Sequence, residues 1–483
     1  MPNQLCIISR RVKIPKKYIS FEKVSSELIL RDTRPAEYAS REPFVCYSDG
    51  GDGFIVPKMY GVNFIRAGNL PFEDRQKHGE TLSHVAFSGS LRERQVEPVE
   101  KTIRALETAQ GGVMSLYCGF GKTTCSLKVS CHFKKKTIIL VHTTALLEQW
   151  KERIEQFVTN ASVGVLQRDK IDVTGRSHVI ALMQSVSRRN YPRELLDSFG
   201  LMIVDEAHHV CAAQLSRCVT KVGCKLRLGL SATPVRKDGM TQYLFDSIGP
   251  ICARVDREYE NVLVDVVHVT SGPSDMVYMK RKGKQSPNIA KMINNLCDVH
   301  DPAGEFRTEL VIETIVNALA EERHVIVLSD RRGHLKVMGS MLEKSAGVEV
   351  GFMVGGIKPA DIEAVSARRV IMATYAYCSE GLDIPSLDTC VFATPRSDIV
   401  QCCGRILRYH PSKQVPRVID FVDDSVVFQG QASKRKQYYH KLSACVNHFD
   451  EELQPATTSS KDGVRAVGEM CGSEKCSFPF DFA

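Results

Sequence analysis

The sequence predicts an α/β protein of two tandem lobes with parallel sheets, preceded by a small N-terminal accessory domain. Three observations carry this. The chain has 483 residues, more than one hydrophobic core organises. Continuous apolar runs of strand length alternate with segments of helical apolar spacing, the pattern of a buried parallel sheet covered by helices. That alternation occurs twice, separated by a less regular stretch. The expected divisions are an accessory domain over 1–88, a first lobe over 89–250, a connection over 251–303, a second lobe over 304–430 and a C-terminal extension over 431–483.

Bulk properties bound the rest. A hydrophobic fraction of 43% with 25% charged residues excludes a wholly disordered chain. No apolar run approaches the ~18–20 residues of a membrane span. The first residues are basic without an apolar core, so no secretory signal is expected. Seventeen cysteines are scattered, Cys402 next to Cys403, and read as reduced thiols of an intracellular protein. The net charge of +8 permits a polyanionic partner without requiring one.

Taken in order, Phe44–Tyr47 and Phe54–Val56 flank the turn Ser48–Gly53 as a hairpin, and Val56–Gly61 reads as an exit turn. A helix is expected from Leu91 to Thr108, with Val96, Val99, Ile103 and Leu106 on one face. Strands follow near Met114, Thr137–His142, His178–Met183, Leu201–Asp205 and Leu226–Leu230. The helix Ala145–Phe157 carries Leu146, Leu147, Trp150, Ile154 and Phe157 at core spacing. In the connection, the basic run Lys280–Lys284 could touch nucleic acid, but a solvated charged loop is the commoner reading. The second lobe opens with a helix over Glu309–Glu322. Its strands are Val325–Ser329, Val348–Val354, Val370–Thr374, Thr389–Thr394 and Arg417–Val422. Beyond Ser425 only a basic helical piece, Ser433–Leu442, stands out, and the end past Gln454 is expected to fray. Cys471 and Cys476 lack a second pair, so no zinc site is expected.

The chemistry centres on Leu116-Tyr117-Cys118-Gly119-Phe120-Gly121-Lys122-Thr123. A strand, a Gly-rich turn, a Lys-Thr pair and a helix together make a seat for nucleotide phosphates. Lys122 reaches the β/γ-phosphates and Thr123 offers its hydroxyl to Mg²⁺. Leu116 stands where the strict pattern wants glycine, and the turn alone is an ordinary surface feature. The strand Leu201–Val204 ends in Asp205 and Glu206, suited to holding a Mg²⁺ shell and to orienting and deprotonating a water. Alone this is equally an acidic helix start; with the Lys-Thr turn upstream that alternative weakens. His208 reads as a polar relay, because adjacent histidines point apart on a regular element. Ser231 and Thr233, before Pro234, suit coupling to the acidic pair, or simply a closed turn. In Gln401–Arg408, Arg405 and Arg408 lie three apart on one helical face, where two guanidiniums without a carboxylate invite an anion. Gly381 and Asp383 form a further Gly-containing loop.

These segments, in this order and spacing over roughly residues 88–424, resemble the motifs of superfamily 2 helicases of the DEAH-box type. The resemblance implies two RecA-like lobes, ATP with Mg²⁺ in the cleft between them, and nucleic acid as partner. It implies an adenine-reading role for Gln95, and phosphate-loop roles for Gly119, Gly121, Lys122 and Thr123. It further implies metal and water roles for Asp205 and Glu206 and coupling by Ser231 and Thr233. In the second lobe it implies nucleotide contact at Gly381 and Asp383, and finger roles for Gln401, Arg405 and Arg408. Cys402 stands where the motif usually has a basic residue. Leu91-Arg92-Glu93-Arg94-Gln95 and Glu148-Gln149-Trp150 resemble the DNA-translocating branch of repair and transcription helicases. Val56–Gly61 ahead of Gly89-Ser90-Leu91-Arg92 resembles helicases of large cytoplasmic DNA viruses, including the poxvirus transcript-release type. The expectation is an ATP-dependent helicase or translocase in viral replication, repair or transcription, acting on DNA in preference to RNA. It is placed in the cytosol or nucleus of a host cell, or packaged in a virion. An RNA helicase, an ATPase-inactive nucleic-acid-binding scaffold and a P-loop kinase or small-molecule ATPase are the alternatives.

Overall fold

An eight-stranded sheet forms the centre of the first half of the chain in the computed structural model. The structure describes residues 5–34, 40, 42–117, 119–212, 214–236, 238–256, 262–281, 284–357, 359–381, 384–407 and 413–456. The strands of this sheet lie in the order 170–171, 163–167, 178–182, 137–141, 201–204, 226–231, 111–116, 251–255. All neighbours are parallel except the short edge strand 170–171. Thr137–Val141 and Leu201–Val204 are buried at every position, as continuous apolar runs in the middle of a parallel sheet must be. The chain separates into two compact units, Met1–Arg257 and Glu258–Ala483.

The first 88 residues form a five-stranded sheet, ordered 48–49, 53–56, 12–15, 6–8, 72–74. Ser48–Asp49 and Gly53–Val56 pair antiparallel around the expected turn. Among the described residues this module's core is shared with the large sheet. Val12, Ile14, Phe54, Val56 and Ile65 belong to one buried cluster with Ile138, Leu140 and Val204 of the large sheet. Lys58 is buried, and its Nζ donates to the carbonyls of Cys224 (3.0 Å) and Lys225 (2.8 Å). The expected exit turn is instead the start of a helix, Lys58–Ala67. Pro57 ends the strand, and Gly61 lets the helix lie on Val12, whose Cβ is 2.3 Å from where a glycine side chain would begin.

The second unit holds a seven-stranded parallel sheet ordered 350–353, 370–373, 325–328, 389–392, 417–423, 263–269, 445–449. The stretch 251–303 is therefore more than a connection. Ile251–Val255 completes the first sheet, and Leu263–Val269 lies inside the second. Asp265 and His268 interrupt the apolar run and hide that strand in the sequence. Asp265 is buried but satisfied, 3.4 Å from Arg417 and bonded to Asn447 at 2.8 Å. The basic run expected as a loop belongs to an antiparallel ribbon, Tyr278–Arg281 with Lys284–Pro287. Cys445–Phe449, half-buried at the sheet edge, also escapes the apolar pattern. The expected fraying past Gln454 and the pair Cys471 and Cys476 lie outside the described residues, apart from Pro455 and Ala456.

Candidate active site

The strand Gly111–Leu116, buried throughout, runs into a turn and then the helix Lys122–Phe133. Gly119 and Gly121 take φ of 87° and 100°, left-handed values that glycine adopts without strain. Gly121 caps the helix, so the free N–H groups of the first turn face the loop. Gln95 braces that turn. Its Nε2 donates to Phe120 O at 2.7 Å, while its Oε1 accepts from Arg92 N at 2.9 Å. A Cβ on Gly121 would sit 2.5 Å from Gln95 Nε2. The residue expected to read adenine thus engages both ends of its amide with the protein. Cys118 lies outside the described residues.

Sheet order explains why distant motifs meet. Strand 226–231 lies between 111–116 and 201–204, all parallel. Their carboxyl ends bring Lys122, Ser231 and Asp205-Glu206 to one edge, where ligands of such sheets bind. Lys122 Nζ is 3.7 Å from Glu206 Oε1. Glu206 has φ 43°, an uncommon backbone for a non-glycine residue and one that clusters at functional sites. Asp205 is held by two donors: Glu206 N reaches Oδ1 at 2.9 Å and Trp150 Nε1 reaches Oδ2 at 2.8 Å. Helical spacing alone marks Trp150 as core. It is core, but a buried indole N–H needs a partner, and that need is the available signal for its role here.

The two carboxyls are pushed apart. Burial, and then the Glu206 charge, raise Asp205. Burial also acts to raise Glu206, but Lys122 with His208, His209 and His142 outweighs it and holds Glu206 below the usual range. Glu206 therefore stays ionised, as a base must. Its Oε2 is buried and accepts no hydrogen bond; His208 Nδ1 lies 3.5 Å away. His208 Nδ1 is also 3.2 Å from Ser231 Oγ, which accepts from Thr233 N at 3.1 Å. Burial lowers the His208 pKa, partly offset by Glu206. Arg236 donates to His208 O at 3.0 Å.

The expectation that adjacent histidines point apart is overturned. Ala207–Cys211 is a short 3₁₀ helix, and its tighter turn leaves the His208 and His209 rings 4.4 Å apart. The His142 ring is 3.9 Å from that of His209. Gln184 Nε2 donates to His142 O at 2.8 Å. Among the described residues no group of three or more His, Cys, Asp and Glu is arranged to hold a metal. Carboxylate and hydroxyl oxygens, with an unsatisfied buried Glu206 oxygen, fit a hard cation that arrives with a nucleotide and keeps its phosphate and water ligands.

In the second unit, the helix Val400–Ile406 carries Gln401 and Arg405. Arg405 Nε donates to Cys378 O at 2.8 Å, and its Nη2 to Ser379 O. Its charge is thus met by the carbonyls ending the helix Tyr375–Gly381, which removes the argument that an anion is required. Cys402 is buried, 3.5 Å from Ser379 Oγ, a position where a basic side chain would lose its solvation. Asp383 and Arg408 lie outside the described residues.

Residues 88–236 match the model of the family described as "Type III restriction enzyme, res subunit". A protein of Acanthamoeba polyphaga mimivirus named "Putative ATP-dependent RNA helicase" is 30% identical over 411 residues, covering 84% of this chain and 78% of the relative. This chain belongs to the superfamily 2 helicases. The helicase is also 25% identical to a "Putative helicase" of Invertebrate iridescent virus 6, over 75% of this chain and 84% of that one. An African swine fever virus relative, again named "Putative ATP-dependent RNA helicase", is 23% identical over 77% of each chain. Two solved structures show the same fold. One is a fragment of "a putative HsdR subunit of a type I restriction enzyme" from Vibrio vulnificus (TM-score 0.54, 16% identity, 77% of this chain and 71% of that one). The other is S. cerevisiae Dbp5 bound to RNA and ADP BeF3 (TM-score 0.50, 14% identity, 75% and 95%). The helicase has tandem RecA-like lobes and is an ATP-driven enzyme of nucleic acid.

Proposed function

We propose that the helicase hydrolyses Mg-ATP at the edge formed by Lys122, Thr123, Asp205 and Glu206 and uses it to move along DNA. The observation that carries this is the Lys122–Glu206–Asp205 group: an ionised base 3.7 Å from a lysine, beside a carboxylate oriented by two donors. Lys122 and the helix N-terminal amides hold the β- and γ-phosphates. Glu206 orients the attacking water and takes its proton, and the Ser231–His208 contact links that base to the neighbouring strand. Asp205 and Thr123 would hold Mg²⁺, which would supply neutralisation of phosphate charge. On the resemblance of their motif alone, Arg405 and Arg408 are proposed as the arginines that stabilise charge developing on the γ-phosphate, which requires Arg405 to leave the Cys378 and Ser379 carbonyls.

DNA as the track is supported by the likeness of the Glu148-Gln149-Trp150 region to DNA-translocating helicases. A viral role in a host cytosol or nucleus agrees with the viral relatives. A second reading, action on RNA, is favoured by the printed names of the mimivirus and swine fever virus relatives. The deciding experiment is an ATPase panel with single- and double-stranded DNA and RNA, joined to triplex displacement. Stimulation by duplex DNA with displacement supports the first reading, and stimulation by RNA alone supports the second. No hydrolysis under any condition would remove the site assignment.

A further inference from the structure

Between Tyr278 and Pro287 the sequence reads Tyr-Met-Lys-Arg-Lys-Gly-Lys-Gln-Ser-Pro, four basic residues and no acidic one. The segment forms a two-stranded ribbon with the register Tyr278↔Pro287, Met279↔Ser286, Lys280↔Gln285 and Arg281↔Lys284. Among the described residues no other strand joins it. An isolated hairpin is marginal in water, so this one depends on its foot. That foot is well anchored. Asn288 N donates to Val277 O at 2.7 Å, and the Asn288 side chain caps the helix Ile289–Leu296. Met276, Val277 and Ile289 pack on Met292, Ile293, Leu296 and Phe428.

Above the foot, Tyr278 and Met279 leave both faces of the ribbon's start bare. Consecutive strand residues point to opposite sides, yet Tyr278 is 54% exposed and Met279 41%. Lys280 is exposed and has no carboxylate partner among the described residues. A solvated charged loop explains exposed lysines but not an exposed tyrosine and methionine held out on an anchored ribbon. An uncompensated cation at Lys280 within a run of basic sequence selects a polyanion, and a flat exposed ring beside it selects one with aromatic faces. We propose that the ribbon Tyr278–Pro287 is a nucleic-acid contact, with Lys280 and the basic sequence that follows it neutralising phosphates and Tyr278 stacking on a base of an unpaired strand. This rests on the reading of the chain as an enzyme that engages nucleic acid.

The test uses the full-length protein and short fluorescent single- and double-stranded oligonucleotides of DNA and RNA, with affinity followed against salt. A variant combining Lys280→Ser, Arg281→Ser and Lys284→Ser should lower the slope of log affinity against log salt by about 2 on single strands, at ~0.7 for each phosphate no longer neutralised. Tyr278→Ala should weaken single-strand binding at least about fivefold, with Tyr278→Phe close to wild type. ATP hydrolysis without nucleic acid should be unchanged in all three, which separates the ribbon from the ATP site. If wild type binds and the variants keep its slope and affinity, the ribbon assignment is overturned while the nucleic-acid reading stands. That is also the outcome if the ribbon serves an acidic protein surface. If wild type binds none of the oligonucleotides, both readings fail.

Discussion

The two sheets are built alike, but one buried charge pair in the second and the charged group at the strand ends of the first are held differently. In the second unit the Arg307–Asp423 pair is closed off. Arg307, wholly buried, pairs through two nitrogens with Asp423 and also donates to Ala393 O at 2.7 Å. Arg435 Nε reaches Asp420 Oδ2 at 2.9 Å, joined there by Tyr439 OH at 2.8 Å, while the buried Asp420 Oδ1 accepts nothing, so this pair is only half closed. In the first unit Glu206, at a strand end, is left partly open. Lys122 and Glu206 are 3.7 Å apart, and a buried Glu206 oxygen accepts nothing. Fully bonded pairs hold a fold in one arrangement; partly bonded ones leave capacity for a ligand.

Removing the open group should therefore affect turnover and spare the fold. Glu206→Gln should lower kcat by about 10²–10⁴-fold, the usual worth of a positioned base, with an unchanged urea midpoint. An unaltered kcat would mean that another group serves as base. Breaking a closed pair should do the reverse. Arg307→Met strands the buried Asp423 carboxylate and should cost about 3–5 kcal/mol, read as a lower urea midpoint. Adding Asp423→Leu should restore most of it. A double variant as unstable as the single one would show that Arg307 acts through Ala393 O instead. Trp150 tests the boundary between the two classes, because it is core and also bonds the open site. Trp150→Phe keeps most of the packing but removes a hydrogen bond to a charged group, worth about 1.5–3 kcal/mol. The Mg²⁺ concentration for half-maximal hydrolysis should rise about tenfold or more. Because Trp150 is the single tryptophan, wild-type fluorescence should also respond to Mg-nucleotide, and a silent indole would count against the contact.

Much of this is legible in the sequence. Leu201–Val204 and Val325–Leu328 are unbroken apolar runs, so burial alone identifies them as central strands. The Lys122 turn and the Asp205-Glu206 strand end are readable because phosphate and metal chemistry restricts which residues serve. What escapes has weaker local signals. Leu263–Val269 needs Arg417 and Asn447, far along the chain, to bury its Asp265. The contact of His142 with His209 depends on which strands are neighbours, and that of Trp150 with Asp205 on a helix crossing the sheet. The bracing of the loop by Gln95 depends on a turn carbonyl that no side-chain pattern reports. The accessory sheet's shared core is invisible because alternation shows that a strand has a buried face, not what covers it.

An open charge is not sufficient to mark a site, and Asp246 shows why. It is buried near the end of the helix Thr241–Ser247; Gln242 donates to its Oδ1 at 2.9 Å, but its Oδ2 has no hydrogen-bond partner. Burial pushes its pKa up to about 6. Unlike Glu206 it has no lysine partner or phosphate loop, and its helix packs on Lys58–Ala67 of the accessory module. It should therefore act on stability alone. The folded state holds the Asp246 proton up to about pH 6, whereas the unfolded chain releases it near ~3.9. Stability therefore falls as pH rises through that window, and the full cost persists above it. Asp246→Asn should stabilise the helicase by about 1–2 kcal/mol at pH 8, allowing for relaxation around the charge, with the gain shrinking below pH ~6. Hydrolysis should be unchanged. Lost turnover with intact stability would instead make Asp246 part of the coupling between the accessory module and the ATP site, and openness alone would then be the better guide to function.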